Sequence, residues 1–141
     1  MKRAFLPKKA AWILIAILVY IDAILDLIMG KGQANPLWIP VIARFGSYSV
    51  LFLAPIVIIL IYFCIKIISP IVAKIDKTPF AEEILITTFA VVYGLFDLWL
   101  ISVDFFGFSL IRNYRYTIPF LIVGGLIYSL WAERKVKRKK R

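Results

Sequence analysis

Four long stretches of apolar residues dominate the sequence, and the short segments between them carry most of the charge. A helix needs about 20 mostly apolar residues to cross the hydrocarbon core of a bilayer. The stretches cover about residues 10–30, 41–68, 83–104 and 118–132. Hydrophobic residues make up 62% of the chain, against roughly 45–50% in soluble domains. The sequence therefore predicts a single all-α domain over residues 1–141, a polytopic membrane protein folded as a four-transmembrane-helix bundle.

Proline and acidic residues mark the predicted ends of these helices. The Ser69-Pro70 pair is expected to close the second helix, because proline lacks the backbone N–H that a helix interior uses. Glu82 and Glu83 fit the first turn of the third helix, where the helix dipole favours negative charge. Pro119 marks the start of the fourth helix, which is predicted to be short.

The distribution of basic residues predicts the orientation. Fourteen of the 18 Lys and Arg residues lie at the chain ends or close to the segment between the second and third stretches. Basic residues collect on the cytoplasmic side of membrane helices, so both termini are predicted to be cytoplasmic. Lys66, near the inner end of the second span, is expected to extend its ammonium group toward the lipid head groups.

The chain ends in a basic tail, residues 133–141. Beside a membrane span, such a tail favours contact with anionic lipid head groups. A nucleic-acid partner is disfavoured, although a net charge of +10 on a soluble protein would point to one. The predicted lipid-contact residues are Arg134, Lys135, Lys137, Arg138, Lys139, Lys140 and Arg141.

Four charged residues within the predicted spans need an explanation: Asp22, Asp26, Arg44 and Asp97. Such groups cost roughly 2.5–3.5 kcal/mol on insertion scales, so they normally face the bundle interior and pair. Asp22 and Asp26 are one helical turn apart on one face. A rise of about 1.5 Å per residue places all four in the outer half of the membrane. The sequence predicts a charge cluster in which carboxylates surround the Arg44 guanidinium.

Three roles for this cluster stay open. It can fix how the helices pack, it can form a proton or cation site that opens to the outside, or it can dock a partner protein. Arg44 can bind one carboxylate bidentately, and a further carboxylate then needs another partner. The predicted partners within the chain are Tyr20, Asn35 and Tyr93.

A polar pattern at the end of the first stretch resembles a family of uncharacterised small prokaryotic membrane proteins. The pattern is Asp22-x3-Asp26-x3-Gly30-x4-Asn35-Pro36. In that family an aspartate in the first helix precedes a Gly…Asn-Pro turn and a second long helix. The resemblance covers roughly the first half of the chain. It departs from the family at Ala34, where an acidic residue is expected, and at Asp26, where a hydroxyl is expected. It implies a four-helix fold and brings no assigned activity.

The composition disfavours several kinds of catalytic site. The chain has no histidine and one cysteine, Cys64, whereas haem, copper and catalytic zinc sites mostly use imidazole. It also lacks a Cys-x-x-Cys pair and a phosphate-binding Gly-rich loop followed by Lys. No catalytic residue, metal site or cofactor is predicted, and the chain is expected not to be an enzyme. Gly124-Gly125 is interpreted as a place of close helix packing.

The resulting hypothesis is a non-enzymatic accessory or structural subunit of a larger membrane complex. Its expected partners are the lipid bilayer and other membrane-protein subunits or further copies of itself. The alternative is a small ion- or proton-coupled transporter, or a channel-forming oligomer, that uses the intramembrane carboxylates. The predicted location is the cell (cytoplasmic) membrane of a prokaryote. One glutamine and two asparagines in the chain favour a thermophilic archaeal source.

Overall fold

A computed structural model describes residues 5–29, 39–108 and 114–138, and five helices account for most of them. In chain order these are α1 (Lys8–Met29), α2 (Ile39–Phe45), α3 (Ser49–Asp76), α4 (Ala81–Asp104) and α5 (Tyr114–Arg138). The described ranges contain no strand, so the prediction of an all-α protein is confirmed.

Within the described residues, three helices are long and apolar enough to cross a membrane. They are Ser49–Ile75 in α3, Ala81–Val103 in α4 and Tyr116–Lys137 in α5. Their length and composition indicate a multi-pass membrane protein. The prediction of a four-transmembrane-helix bundle is wrong, because the described chain forms five helices, of which three meet the requirements of a span.

α1 is the predicted span that is not among these three helices. Its described residues include Lys8, Lys9 and Asp22, and the side chain of Asp26 lies outside the described residues. The predicted cytoplasmic location of both termini assumed four crossings, so the corrected count removes its basis.

We call the end of the molecule where α1 and α4 begin the Glu82 end, and the opposite end the Asp97 end.

A short helix and a turn precede α3. α2 is followed by Gly46, whose φ of +82° is a left-handed conformation that glycine adopts without strain. The Gly46 N–H donates to the Ile42 carbonyl, and the Gly46 carbonyl accepts from the Ser49 N–H and hydroxyl. The second apolar stretch is thus divided between α2 and α3 instead of forming one continuous helix.

α3 and α5 both run through a proline. α3 continues past Pro70 to Asp76, so the predicted end at Ser69-Pro70 is wrong. A proline inside a helix forfeits one backbone hydrogen bond, and long apolar helices packed among others tolerate that loss. α5 begins at Tyr114, before Pro119, and extends to Arg138. It is therefore longer than the predicted fourth helix, and it carries the start of the basic tail.

The turn Lys77–Phe80 joins α3 to α4. Lys77 and Phe80 both have a left-handed backbone, with φ of +50° and +63°, which is uncommon for residues other than glycine. The Thr78 hydroxyl donates to Glu133 of α5 at 3.0 Å. The Phe80 ring packs against Phe5, with ring centroids 5.3 Å apart. Contacts from two other parts of the chain therefore hold this turn in place.

α4 lies at the centre of the packing. It contacts α1, α3 and α5, and α1 also packs against α3. The main core comes from α1, α3 and α4, and it includes the buried side chains of Ile15, Ile65 and Ile86. Four buried alanines belong to it as well: Ala11, Ala23, Ala54 and Ala90. Small residues let membrane helices approach closely, which strengthens van der Waals packing. Among the described helices, α5 packs only against α4.

Candidate functional site

Two aspartates are buried in the part of the molecule where α1 and α4 pack together. Asp22 of α1 is 1% exposed, and Asp97 of α4 is 4% exposed. A carboxylate in so apolar an environment is costly unless it is hydrogen-bonded, ion-paired or protonated. Ionisable residues at such positions in membrane proteins are candidates for function. Asp22 and Asp97 are therefore candidate functional residues.

Tyr93 joins these two aspartates into a group of three. It lies one helical turn before Asp97 on α4, and its side chain interacts electrostatically with both Asp22 and Asp97. It also packs against the main core. The structure thus brings together three of the residues named from the sequence, two carboxylates and one phenol, at the Asp97 end of the α1–α4 pair.

A shallow groove of about 420 Å³ opens beside this group. Its lining includes Leu18 and Ile21 of α1, and Val91, Gly94 and Leu98 of α4, and it reaches Asp97. α1 comes close to α4 at Gly94, where a Cβ atom would lie 3.9 Å from Cδ1 of Leu18. Asp97 is the one ionisable residue among the described residues that line the groove, and the rest of the exposed lining is almost entirely apolar.

The other predicted members of the cluster are exposed or lie outside the described residues. Arg44, near the end of α2, is exposed, and its guanidinium carbon is 5.8 Å from the centre of the Phe45 ring. Arg44 makes no ion pair with any other described residue. Tyr20 is also exposed. The side chain of Asp26 and the whole of Asn35 lie outside the described residues.

A second ionic cluster lies at the Glu82 end and consists of Lys8, Lys66 and Glu82; we call it the Glu82 triad. The Lys8 Nζ donates to Glu82 Oε2 at 2.8 Å, and the Lys66 Nζ donates to Oε1 at 2.7 Å. Glu83 Oε1 lies 4.0 Å from the Lys8 Nζ. The hydrogen bond to Glu82 favours the charged ammonium, so it raises the pKa of Lys8 above its ordinary value of 10.5.

The triad confirms one expectation and adds a contact that was not predicted. Glu82 and Glu83 lie in the first turn of α4, as predicted. Lys66 pairs with Glu82, and the extension of its ammonium group toward lipid head groups stays a prediction. Lys8, Lys66 and Glu82 each lie near the predicted inner end of an apolar stretch. This shared depth is the signal in the sequence that could have revealed the triad.

Hydrogen bonds tie further segments together at the Glu82 end. The Leu6 N–H donates to the Thr87 hydroxyl oxygen at 3.1 Å, and the Thr87 hydroxyl donates to the Glu83 carbonyl at 2.7 Å. Glu133 of α5 accepts from Thr78 and also pairs with Lys137. Polar side chains here join the N-terminal segment to α4 and the α3–α4 turn to α5.

The basic tail begins as the last turns of α5. Arg134 and Lys135 are exposed, and the Lys135 Nζ lies 4.5 Å from the centre of the Trp131 ring. Lys137 is engaged with Glu133. The side chain of Arg138 and residues 139–141 lie outside the described residues. Contact of this tail with anionic lipid stays a prediction.

The described residues offer charge pairing and proton binding. No group of three or more Cys, Asp or Glu in the described ranges is placed to hold a metal ion. Ion pairs join helices at the Glu82 end, and protonatable side chains are buried at the Asp97 end.

Comparison of the chain with protein-family models, with curated proteins and with solved structures found no match in any of the three. The resemblance of the first half of the chain to small prokaryotic membrane proteins therefore stays a prediction, and so does its archaeal source.

Proposed function

We propose that the chain is a non-enzymatic membrane protein that acts as an accessory or structural subunit of a larger membrane complex. The observation that carries the proposal is how little of each long apolar helix is covered by the rest of the chain. The buried share of the apolar span is 17% in α3, 17% in α5 and 33% in α4. Membrane helices associate through close packing of such faces, so this chain has surface for several neighbouring helices.

α5 offers a large accessible surface to a partner. It packs against α4 and against no other described helix, so most of its circumference faces outward. Its exposed side chains are large and apolar and include Phe120, Ile122, Val123, Ile127 and Leu130. A second membrane helix can pack along this face over the whole length of the span.

The polar contacts also support a structural role over a catalytic one. Glu82 joins Lys8 and Lys66, which come from two other helices. Glu133 joins Thr78 of the α3–α4 turn to α5. These charged groups are engaged in holding segments together, and they are not arranged around a substrate-sized polar cleft.

Purification from native membranes in mild detergent tests this proposal. We expect a second membrane protein in constant stoichiometry by mass spectrometry. Cys64, which is exposed on α3, can carry a photoactivatable cross-linker into that neighbour, and the Cys64→Ser variant is the matched control without a cross-link. A chain that purifies alone, with only itself as a cross-linked neighbour, would contradict the accessory role.

The buried pair Asp22 and Asp97 supports a second candidate, an ion- or proton-coupled transporter or a channel-forming oligomer. Two carboxylates and the Tyr93 phenol can bind and release protons inside the membrane. In proteoliposomes loaded with a pH-sensitive dye, this candidate requires proton flux that is lost in both Asp22→Asn and Asp97→Asn. Glu83→Gln, a carboxylate change at the opposite end, should retain the flux. Wild-type vesicles no leakier than protein-free vesicles would exclude it.

A further inference from the structure

A second groove, of about 380 Å³, lies on the outer face of α1 and α3. It is lined by Trp12 from α1 and by Ile58, Ile59 and Tyr62 from α3. The Trp12 and Tyr62 rings contact each other at a centroid distance of 5.5 Å. Isoleucine side chains thus form one part of this groove, and a pair of aromatic rings forms the part closer to the Glu82 end.

The Glu82 triad lies one helical turn beyond the aromatic pair. Lys8 precedes Trp12 by four residues and Lys66 follows Tyr62 by four, so each lysine lies on the same helix face as its aromatic neighbour. The Lys66 Nζ is 5.6 Å from the centre of the Tyr62 ring. The side chains of Lys8 and Lys66 are 49% and 45% exposed, so both ammonium groups are accessible from outside.

The triad has an excess of positive charge. Two ammonium groups share the Glu82 carboxylate, whereas Glu83 lies 4.0 Å from the Lys8 Nζ, beyond hydrogen-bond distance, and the exposed Lys9 follows Lys8 in the sequence. Each ammonium has three N–H donors and uses one on Glu82. Donors therefore remain for a further acceptor, and a phosphodiester, with one negative charge and several oxygens, complements them.

We propose that this groove and the Glu82 triad form a binding site for one anionic phospholipid. An apolar chain of the lipid lies along Ile58 and Ile59, and the head-group phosphate binds Lys8 and Lys66. Trp12 and Tyr62 lie between the two, where aromatic side chains prefer the membrane–water interface. The aliphatic, aromatic and cationic parts follow one another along the helices in the order that runs from the chain of a phospholipid to its phosphate. A second apolar helix in the groove would leave the excess charge unmatched.

Native mass spectrometry of the full chain in detergent tests this site, with phosphatidylglycerol and phosphatidylcholine as the added lipids. We expect phosphatidylglycerol to bind more tightly. Lys66→Gln should weaken its binding about fivefold, since a lysine near a phosphate contributes about 1 kcal/mol. The matched control is Lys74→Gln, which removes an exposed charge from the same end of the same helix and should leave the affinity unchanged.

A second variant separates lipid binding from stability of the fold. Ile59 is 52% exposed, so Ile59→Trp fills the groove without touching the triad. This variant should lose bound phosphatidylglycerol while it unfolds at the same temperature as the wild type. Equal binding of the two lipids, an equal effect of Lys66→Gln and Lys74→Gln, or full binding by Ile59→Trp would each overturn the proposal.

Discussion

Gly125 of α5 lies directly against Val92 of α4: a Cβ atom at Gly125 would be 2.8 Å from the Val92 Cγ2. Carbon atoms that are not bonded do not approach so closely, so α5 reaches this position only because residue 125 has no side chain. Gly124, its neighbour, lies in a looser place, where a Cβ atom would be 3.5 Å from Cδ1 of Leu95.

The two glycines therefore predict opposite results for the same substitution. Gly125→Ala should lower the free energy of unfolding by about 1–3 kcal/mol, because the added methyl group overpacks the α4–α5 contact. Gly124→Ala has room for its methyl group and should be neutral or slightly stabilising, since alanine favours helix over glycine by up to about 1 kcal/mol. Unfolding in mixed micelles measures both. Equal effects of the two substitutions would show that α5 does not pack as described.

The Glu82 triad predicts a difference between two adjacent glutamates. Glu82→Gln removes two ion pairs at 2.7 and 2.8 Å and should cost about 1 kcal/mol of stability, a modest figure because both lysines are half exposed. Glu83→Gln removes one contact at 4.0 Å and should cost little. The same unfolding titration, run at low and high salt, checks this, and the Glu82→Gln effect should shrink as salt rises. A larger loss from Glu83→Gln would count against the triad.

The Lys8–Glu82 pair predicts a loss of stability in alkaline solution. Because the folded state raises the pKa of Lys8, the contribution of the pair is complete below the ordinary value of 10.5 and is lost as the pH rises through the raised pKa. Unfolding free energies measured on both sides of that value should fall more steeply for the wild type than for Glu82→Gln. Parallel curves for the two proteins would contradict the assignment.

The N-terminal segment provides a test at a single backbone group. Thr87→Val removes the hydroxyl that accepts the Leu6 N–H, so the Leu6 amide should exchange its hydrogen with solvent faster. Thr88→Val is the matched control, because the Thr88 hydroxyl donates to the Ile84 carbonyl within its own helix. Hydrogen–deuterium exchange of the segment before α1 measures both variants. Unchanged exchange in Thr87→Val would place the segment elsewhere.

Much of the helical structure was predictable because apolar stretches and charged ends carry the relevant physics. The first turn of α4, with Glu82 and Glu83, follows from the helix dipole. The interpretation of Gly124-Gly125 as a close packing point is confirmed by the contacts of both positions with α4. These features depend on residues close together in sequence, so local patterns suffice to predict them.

The predictions that failed concern features that depend on how the helices pack in three dimensions. The helix count failed because the second apolar stretch is divided at Gly46 between α2 and α3. The span count failed because α1 is not among the three candidate spans of the described residues. Depth alone placed Arg44 beside the aspartates, whereas the position of α2 leaves Arg44 exposed. The pairing of Lys66 with Glu82 was missed because these residues meet only through helix packing.

The isolation of α5 has a consequence for how the protein is made. The main core draws its buried residues from α1, α3 and α4, so it can be complete before α5 leaves the ribosome. α5 then adds to a compact intermediate from one side, through α4 and the smaller cluster that includes Ala132 and Val136. Chains synthesised in the N- to C-terminal direction commonly fold in such an order. Insertion into the bilayer would thus proceed in two stages, and defects in α5 would halt the second stage while leaving the first intact.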